Sequence, residues 1–164
     1  MITLTGEDIL AAAAYAAQHP EAYDQAMWCG TACCVLGHAR RMAGSEQVQG
    51  GPRPGEISMA TPRERALARM LFWRHADTAQ LMPHIEEDGV CRVPDGGVGA
   101  FGGGAVIRMD TEIDADAVIR VGTVICEGVV VGAEAVIGAR AVIGEGVVIR
   151  AGAEIGAGEV VELY

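Results

Sequence analysis

The sequence predicts an α+β protein in which a small helical bundle over residues 1–92 precedes a stack of short β-repeats over residues 105–164. Two observations predict this organisation. Helix start and stop signals are found in the first part, and an aliphatic residue recurs at every sixth position of the second. Seven glycines lie between Gly89 and Gly104, so a glycine-rich linker is expected over residues 93–104.

The first helix signals lie close to the N-terminus. Thr5 and Asp8 form a near capping box, which predicts a helix that runs to about Gln18 and is stopped by Pro20. A second helix is predicted over residues 31–41, where a threonine can cap the start and two arginines lie near the negative end of the helix dipole.

The third helix carries the strongest start signal of the chain. Thr61 is a good N-cap residue, Pro62 suits the first helical turn, and Glu64 completes a capping box. The apolar positions Leu67, Met70 and Leu71 predict a helix here, and its continuation through Leu81 and Met82 is left open. Three or four short helices therefore form the predicted bundle.

The β-part is recognised by its period of six. An aliphatic residue occupies every sixth position and forms one column of the stack, which consists of Ile107, Ile113, Ile119, Ile125, Val131, Ile137, Ile143, Ile149, Ile155 and Val161. Four residues after each of the first eight come the small or β-branched residues Thr111, Ala117, Thr123, Val129, Ala135, Ala141, Val147 and Ala153, before Glu159 breaks the series. A chain that turns a corner every six residues places the same position in the core each time. Both columns are therefore expected to point inward, in a stack of repeated units.

Residues 101–163 resemble the hexapeptide-repeat family, whose fold is a left-handed parallel β-helix with three hexapeptides per triangular coil. The resemblance implies an exception to the right-handed crossover rule. It also implies a little over three coils and a prism about 15 to 20 Å tall, since strands stack about 4.8 Å apart. The preceding residues are expected to cover the N-terminal end of the prism, whereas the segment Glu159–Tyr164 is expected to leave the other end bare.

The residue before each inward aliphatic residue is expected to point outward, because successive strand residues alternate. At eighteen residues per coil these positions sort onto three faces. They are Val106, Val124, Val142 and Val160 on the first, Glu112, Val130 and Val148 on the second, and Val118, Val136 and Glu154 on the third. An unbroken valine column on an acidic protein predicts an oligomer interface. The alternative interpretation is the β-propensity of valine on an exposed strand.

A cysteine-rich segment offers the only candidate metal ligands, Cys29, Cys33, Cys34 and His38. Pairs of them are spaced four apart, but one short helix cannot direct all four at a single ion. Close helix packing by small residues is the favoured interpretation, so no metal is expected. The segment also resembles a W-C-G-T-x-x-C-x-x-G-x-A motif of small bacterial and phage proteins without an established function.

Residues 97–102 match the dinucleotide-binding pattern G-x-G-x-x-G. That chemistry requires a strand before the glycines and a helix after them, so that the helix N-terminus meets the pyrophosphate. Here a β-repeat follows instead. The interpretation is a flexible hinge, and no cofactor is expected.

The distribution of histidine argues against an enzyme. The resemblance implies a histidine on or beside the coils as the general base of acyltransferases, or three histidines that hold zinc in γ-class carbonic anhydrases. No histidine lies between Ile107 and Tyr164, and no insertion interrupts the repeat. The four histidines are His19, His38, His75 and His84, all in the helical part. His75 and Asp77 are two apart and would not face one another on a helix. No catalytic residue is therefore predicted.

Composition limits partners and location. The net charge of −10 argues against nucleic acid and anionic membranes. All positive side chains are arginine, which is typical of a GC-rich bacterial or phage source. Acidic residues precede the short apolar run near the N-terminus, so neither a signal peptide nor a membrane span is predicted. An odd number of cysteines, five, favours reduced thiols. A cytoplasmic location is expected.

These observations predict a structural, self-assembling protein whose principal partner is itself. A homotrimer is the first choice, because proteins of the resembled family commonly form threefold bundles; a filament, or docking onto a larger assembly such as a phage particle, is also open. Two other functions remain as alternatives. One is a diverged acyltransferase-like enzyme that takes its base from the helical part of a neighbouring copy. The other is a regulatory domain that binds a small molecule or metal on a trimeric stalk.

Overall fold

The computed structural model describes residues 2–25, 34–46 and 50–163. The described helices are α1 (Gly6–Gln18), α2 (Val35–Met42), α3 (Pro62–Met70) and α4 (Thr78–Leu81), with short 3₁₀ turns at Pro20–Ala22 and Met82–His84. Two predicted starts are confirmed. Thr5 and Asp8 form a reciprocal capping box at α1, and the Thr61 hydroxyl accepts a hydrogen bond from the Glu64 amide at α3.

The other two helix predictions were less accurate. Helix α2 begins at Val35 after the N-cap residue Cys34, later than predicted, and Thr31 lies outside the described residues. Helix α3 ends at Met70 instead of continuing to Met82. The chain turns back after Met70 because Trp73 and His75 are buried against the β-part, which a continuous helix would not allow.

The β-part consists of two-residue strands at intervals of six residues. A short strand, β1 (Cys91–Arg92), precedes them. The others are β2 (Val106–Ile107), β3 (Glu112–Ile113), β4 (Val118–Ile119), β5 (Val124–Ile125), β6 (Val130–Val131), β7 (Val136–Ile137), β8 (Val142–Ile143), β9 (Val148–Ile149), β10 (Glu154–Ile155) and β11 (Val160–Val161). They form three sheets with the orders β1-β2-β5-β8-β11, β3-β6-β9 and β4-β7-β10. Apart from antiparallel β1, every strand pairs in parallel with the strand eighteen residues away.

This arrangement confirms the predicted α+β fold and a β-solenoid of about three coils. The inward column is buried from Ile107 to Ile149, and the second column is buried from Thr111 to Val147. In the last coil Ala153, Ile155 and Val161 are only partly buried. Fully burying an aliphatic side chain contributes about 1.5 to 3 kcal/mol, so these columns are the main source of stability in the β-part.

The helical part and the glycine-rich segment together cover the N-terminal end of the prism at all three faces, as expected. Strand β1 pairs with β2 on the first face. Beside β3, the Trp73 indole Nε1 donates to the Thr111 carbonyl at 2.9 Å. On the third face Phe101 forms a parallel bridge to Ile119 and is 1% exposed. The residues before β2 therefore continue the stacking of the coils by three different contacts.

The glycine-rich segment packs against the first coil instead of standing free as a hinge. Phe101 lies six residues before Ile107 and occupies the inward position of an additional repeat. The Gly102 amide donates to the Ile119 carbonyl at 2.6 Å. A Cβ on Gly102 would lie 2.2 Å from the Val121 nitrogen, so glycine is required there for this close approach. The boundaries at residues 92, 93–104 and 105 stay a prediction.

A buried ion pair holds the loop between α2 and α3. Arg40, only 1% exposed, donates through Nε and Nη2 to the two carboxylate oxygens of Glu56. Its guanidinium also donates to the carbonyls of Gly50 and Gly51. The hydrogen bonds from Arg40 outweigh the effect of burial and lower the pKa of Glu56 to about 2.

Candidate functional site

The three faces of the prism differ in how much uncharged surface they offer. On the first, which we call the valine face, Val106, Val124, Val142 and Val160 align in register along β2, β5, β8 and β11. Val106, Val124 and Val142 are partly exposed, and Val160 is 60% exposed. The structure therefore stacks the predicted interface residues in one column. Whether another subunit covers them stays a prediction.

The outward neighbours on the valine face extend its uncharged area. Cys126 lies two residues after Val124, and Gly144 lies two residues after Val142, so each is the next outward position of its coil. Arg92 pairs with Val106 in the sheet and closes the column at its N-terminal end. That arginine forms exposed ion pairs with Glu86 and Asp88. Two adjacent coils of the valine face thus present neither a charge nor a long polar side chain.

The other two faces carry charges within their columns. On the second face Glu112 forms an ion pair with Arg69 of α3 at 3.3 Å, and Arg150 follows the 64% exposed Val148. On the third face the exposed Glu154 interrupts the apolar column below Val136. Each of these faces offers less contiguous apolar surface than the valine face.

The structure describes two of the four candidate metal ligands that the sequence offers. Cys29 and Cys33 lie outside the described residues. Cys34 is buried at the start of α2, and the His38 Nε2 atom is within 2.8 Å of the Ala22 carbonyl oxygen. Burial lowers the pKa of His38, while the hydrogen bond to Ala22 acts in the opposite direction. Among the described residues no three histidine, cysteine or carboxylate side chains form a group that could hold a metal ion.

The three cysteines that the structure describes differ in accessibility. Cys34 and Cys91 are buried, whereas Cys126 is partly exposed on the valine face. Burial raises the pKa of the Cys91 thiol to about 12, which makes that sulfur a poor nucleophile. Cys126 is therefore a chemical probe of the valine face in the native protein.

His75 connects the helical part to the β-helix. Its Nε2 atom donates to the Ala117 carbonyl at 2.8 Å, and its Nδ1 atom accepts from the Asp77 amide at 3.1 Å. The argument that residues two apart do not face one another applies to a helix, but His75 and Asp77 lie in a turn before α4, where His75 Nδ1 is 3.7 Å from Asp77 Oδ2. Both ring nitrogens are occupied and the side chain is 3% exposed. In this conformation His75 cannot accept a proton from an external substrate.

The remaining histidines differ in accessibility. His38 is buried and contacts the ring of Tyr15, while His19 stacks on that ring at 4.1 Å. His19 and His84 are partly exposed. These two are the histidines that an external substrate could reach without rearrangement of the helical core.

The G-x-G-x-x-G segment is a tight turn that leads into a β-strand position. Val98 and Phe101 exchange backbone hydrogen bonds at 2.8 Å, and the Ala100 amide donates to Asp77 Oδ2 at 2.9 Å. A carboxylate therefore occupies the place near the glycines where a pyrophosphate would need to bind. Among the described residues no helix follows this turn, so the rejection of a dinucleotide site is consistent with the local geometry.

A groove in the helical part was missed by sequence analysis. It has a volume of about 310 Å³ and lies between the loop 52–59, helix α3 and the β-helix corner at Asp110. Phe72 and Met59 line it and are 45% and 59% exposed. No periodic signal indicates this groove, because its walls come from three segments that are distant in sequence.

The fold defines the C-terminal part as a parallel β-solenoid built from six-residue repeats. Residues 122–157 match the family described as "Bacterial transferase hexapeptide (six repeats)". The repeats are therefore hexapeptide repeats, and the match supports the left-handed β-helix expected from the resemblance. No curated protein and no solved structure matches the chain. The resemblance of the cysteine-rich segment stays a prediction.

Within the described part of the chain, no helix is long and apolar enough to cross a lipid bilayer. The longest, α1, has 13 residues, whereas a membrane-spanning helix needs about 20.

Proposed function

We propose that this protein is a structural, self-assembling element whose β-helix forms homo-oligomers through the valine face. The observation that carries the proposal is the register of Val106, Val124, Val142 and Val160 on one sheet, where the outward strand positions of two adjacent coils carry no charge. A stacked apolar surface on a protein of net charge −10 favours contact with another protein over exposure to water.

The size of the valine contribution indicates what else such an interface requires. Fully burying one valine contributes about 1.5 kcal/mol, and these four are already partly buried, so the column supplies roughly 3 kcal/mol per copy. Association costs about 4 kcal/mol or more in lost translational and rotational freedom. The contact must therefore extend beyond the column to neighbouring parts of the prism.

A trimer is the first choice for the assembly, because hexapeptide-repeat β-helices commonly form homotrimers. End-to-end stacking into a filament, and docking of the oligomer onto a larger assembly such as a phage particle, are further outcomes. They are distinguished by mass and by the appearance of the purified protein in negative-stain electron microscopy.

Replacement of Val142 by arginine tests the proposal. The side chain points out of the prism, so the coil is expected to fold, while a charge in a closed contact costs several kcal/mol. We expect Val142→Arg to lower the mass measured by light scattering while circular dichroism still reports β-structure. In the same samples, alkylation of Cys126 is expected to be slower in the wild type than in the variant, since the contact covers the thiol.

Matched controls lie on the middle coils of the other faces. Val130→Arg and Val136→Arg place the same charge at residues of similar exposure on the second and third faces. A contact that is limited to the valine face requires both controls to keep the wild-type mass. If Val142→Arg keeps the wild-type mass, the valine face is not the interface.

A second candidate is an acyltransferase-like enzyme, which the description of the matched family favours. Such an activity would have to use a base that substrate can reach, and His19 and His84 are the partly exposed histidines. We expect neither acetyl-CoA turnover nor CO₂ hydration by the purified protein. Turnover that is lost in His84→Ala or His19→Ala would establish the second candidate instead.

A further inference from the structure

The groove between the loop 52–59, helix α3 and the corner at Asp110 has the properties of a small-molecule site. We call it the α3 groove. Its volume is about 310 Å³. Ligand pockets in proteins have volumes of about 300 to 1,000 Å³, are lined mainly by apolar side chains and contain a few polar groups that orient the ligand. The α3 groove lies at the lower end of this range and therefore suits a small ligand.

The lining of the α3 groove is mainly apolar. Ala68 and Phe72 line it from the side of α3, and Ile57 and Met59 line it from the loop. Phe72 and Met59 are large apolar side chains that remain exposed. Removing such surface from water is favourable, so a ligand with a hydrocarbon body would gain free energy by covering both.

The charged side chains of the α3 groove are mostly positive. They are Arg53, Arg65, Arg69 and Asp110. Three arginines against one aspartate are the reverse of the whole chain, whose net charge is −10. A local positive region of this kind attracts an anion. A small anion is favoured over a polyanion, because an acidic protein as a whole repels a polyanion.

Arg65 differs from the other two arginines of the groove. Arg69 forms an ion pair with Glu112 at 3.3 Å. Arg53 forms an ion pair with Glu56 at the same distance. The Arg65 side chain is exposed, and its Nη1 atom donates to a backbone carbonyl at 3.3 Å. No ion pair connects it to another residue that the structure describes, so Arg65 can bind an added carboxylate without losing one.

The positions of Arg65 and Asp110 indicate how a ligand would lie. Arg65 and Arg69 share one face of α3 and are about 6 Å apart along the helix axis. The ion pair of Arg69 with Glu112 places the β-helix beside Arg69. Asp110, which would repel a carboxylate, lies at the β-helix corner that lines the groove. The anionic end of a ligand is therefore expected at Arg65, with its apolar body directed along α3 toward Phe72.

We propose that the α3 groove binds a small organic carboxylate whose carboxylate group binds Arg65 and whose apolar body covers Met59 and Phe72. This inference goes beyond self-assembly and does not depend on the valine face. A guanidinium presents paired N–H donors that match the two oxygens of a carboxylate, and such charge-assisted hydrogen bonds are about twice as strong as neutral ones. The groove combines this anion-binding group with a hydrocarbon surface.

Four probes separate the two parts of the proposal. Phenylacetate and octanoate combine a carboxylate with an apolar body, phenylacetamide lacks the charge, and acetate lacks the body. We expect phenylacetate and octanoate to bind the full chain with millimolar or tighter affinity in calorimetric titrations and to raise its melting temperature. Phenylacetamide and acetate should bind at least about tenfold more weakly. In NMR spectra, binding should shift the amide signals of Ala68 and Phe72.

Two pairs of variants locate the site. Arg65→Gln removes the charge, keeps a residue that suits a helix, and should weaken phenylacetate binding at least about tenfold. Arg74→Gln is its control, because Arg74 is also exposed, forms no ion pair with a described residue and does not line the groove. Met59→Ala should weaken octanoate binding several-fold. Met42→Ala is the control for Met59→Ala, since Met42 is 57% exposed, Met59 is 59% exposed, and Met42 does not line the groove.

Each result decides for or against the proposal. Binding of both carboxylates that is weakened by Arg65→Gln and Met59→Ala, but not by the controls, supports it. The α3 groove is not a carboxylate site if neither carboxylate binds, if phenylacetamide binds as tightly as phenylacetate, or if Arg74→Gln weakens binding as much as Arg65→Gln. If circular dichroism shows that Arg65→Gln does not fold, Met59→Ala and Met42→Ala decide, and equal affinities of these two variants overturn the proposal.

Discussion

The helical part and the β-helix are stabilised in different ways. In the helical part, single contacts without a counterpart hold the chain, such as the buried ion pair of Arg40 with Glu56. In the β-helix the same contact is repeated, so that Ile125, Ile137 and Ile143 each stack on an equivalent residue eighteen positions away. The loss of one contact should therefore be more disruptive in the helical part, and in the β-helix it should depend on the coil.

The largest effect is expected from Arg40→Ala. The substitution removes the closer of the two cations that bind the buried Glu56 carboxylate, leaving only Arg53 at 3.3 Å, and leaves the carbonyls of Gly50 and Gly51 without their arginine donor. Breaking a buried ion pair in this way costs about 3 to 5 kcal/mol of unfolding free energy, measured by urea denaturation. The neighbouring Arg41→Ala, at an exposed position, is the control and should change stability by about 0.5 kcal/mol or less. Equal effects of the two variants would show that the ion pair does not hold this part.

Truncation along the inward column should reveal the gradient within the β-helix. Ile137→Ala leaves a cavity at a fully buried position and should cost about 2 to 5 kcal/mol. Ile155→Ala removes the same atoms at a partly exposed position, so its cost should be clearly smaller. Denaturation curves of the two variants at equal protein concentration provide the comparison. Equal costs would contradict a gradient of packing along the prism.

The smallest expected effect is the acid sensitivity of the helical part. The pKa of Glu56 is about 2 in the folded protein and 4.5 when unperturbed, so the unfolded state takes up a proton first as the pH falls. The stability contributed by this carboxylate is present above about pH 4.5 and is lost as the pH falls toward 2. We expect Glu56→Gln to be less stable than the wild type at neutral pH and to show a weaker loss between pH 5 and 3. Parallel pH profiles of the melting temperature would contradict this assignment.

Periodic features were predictable because burial depends on position within a repeat. The inward residues of strands β2 to β9 and the alignment of Val124 with Val142 follow from counting in steps of six and eighteen. Phe101 was harder to place because the glycines around it indicate a loop. Its position six residues before Ile107 was the available signal.

Contacts between distant segments could not be predicted in this way. Nothing in the spacing of Trp73 or His75 shows that their ring nitrogens donate to the carbonyls of Thr111 and Ala117. The pairing of Arg40 with Glu56 likewise depends on how a loop returns to α2. Each of these contacts occurs once in the chain, so no repeat in the sequence indicates it.

The sequence by itself determined the two-part organisation, the capped starts of α1 and α3, and the six-residue period that forms the coils. These features depend on local hydrogen bonding and on a burial rule that repeats along the chain. Only the tertiary structure decided that the residues before β2 continue the stacking through β1, Trp73 and Phe101. The reason is physical: these relations depend on the positions in space of groups far apart in sequence, which are set only when the whole chain packs.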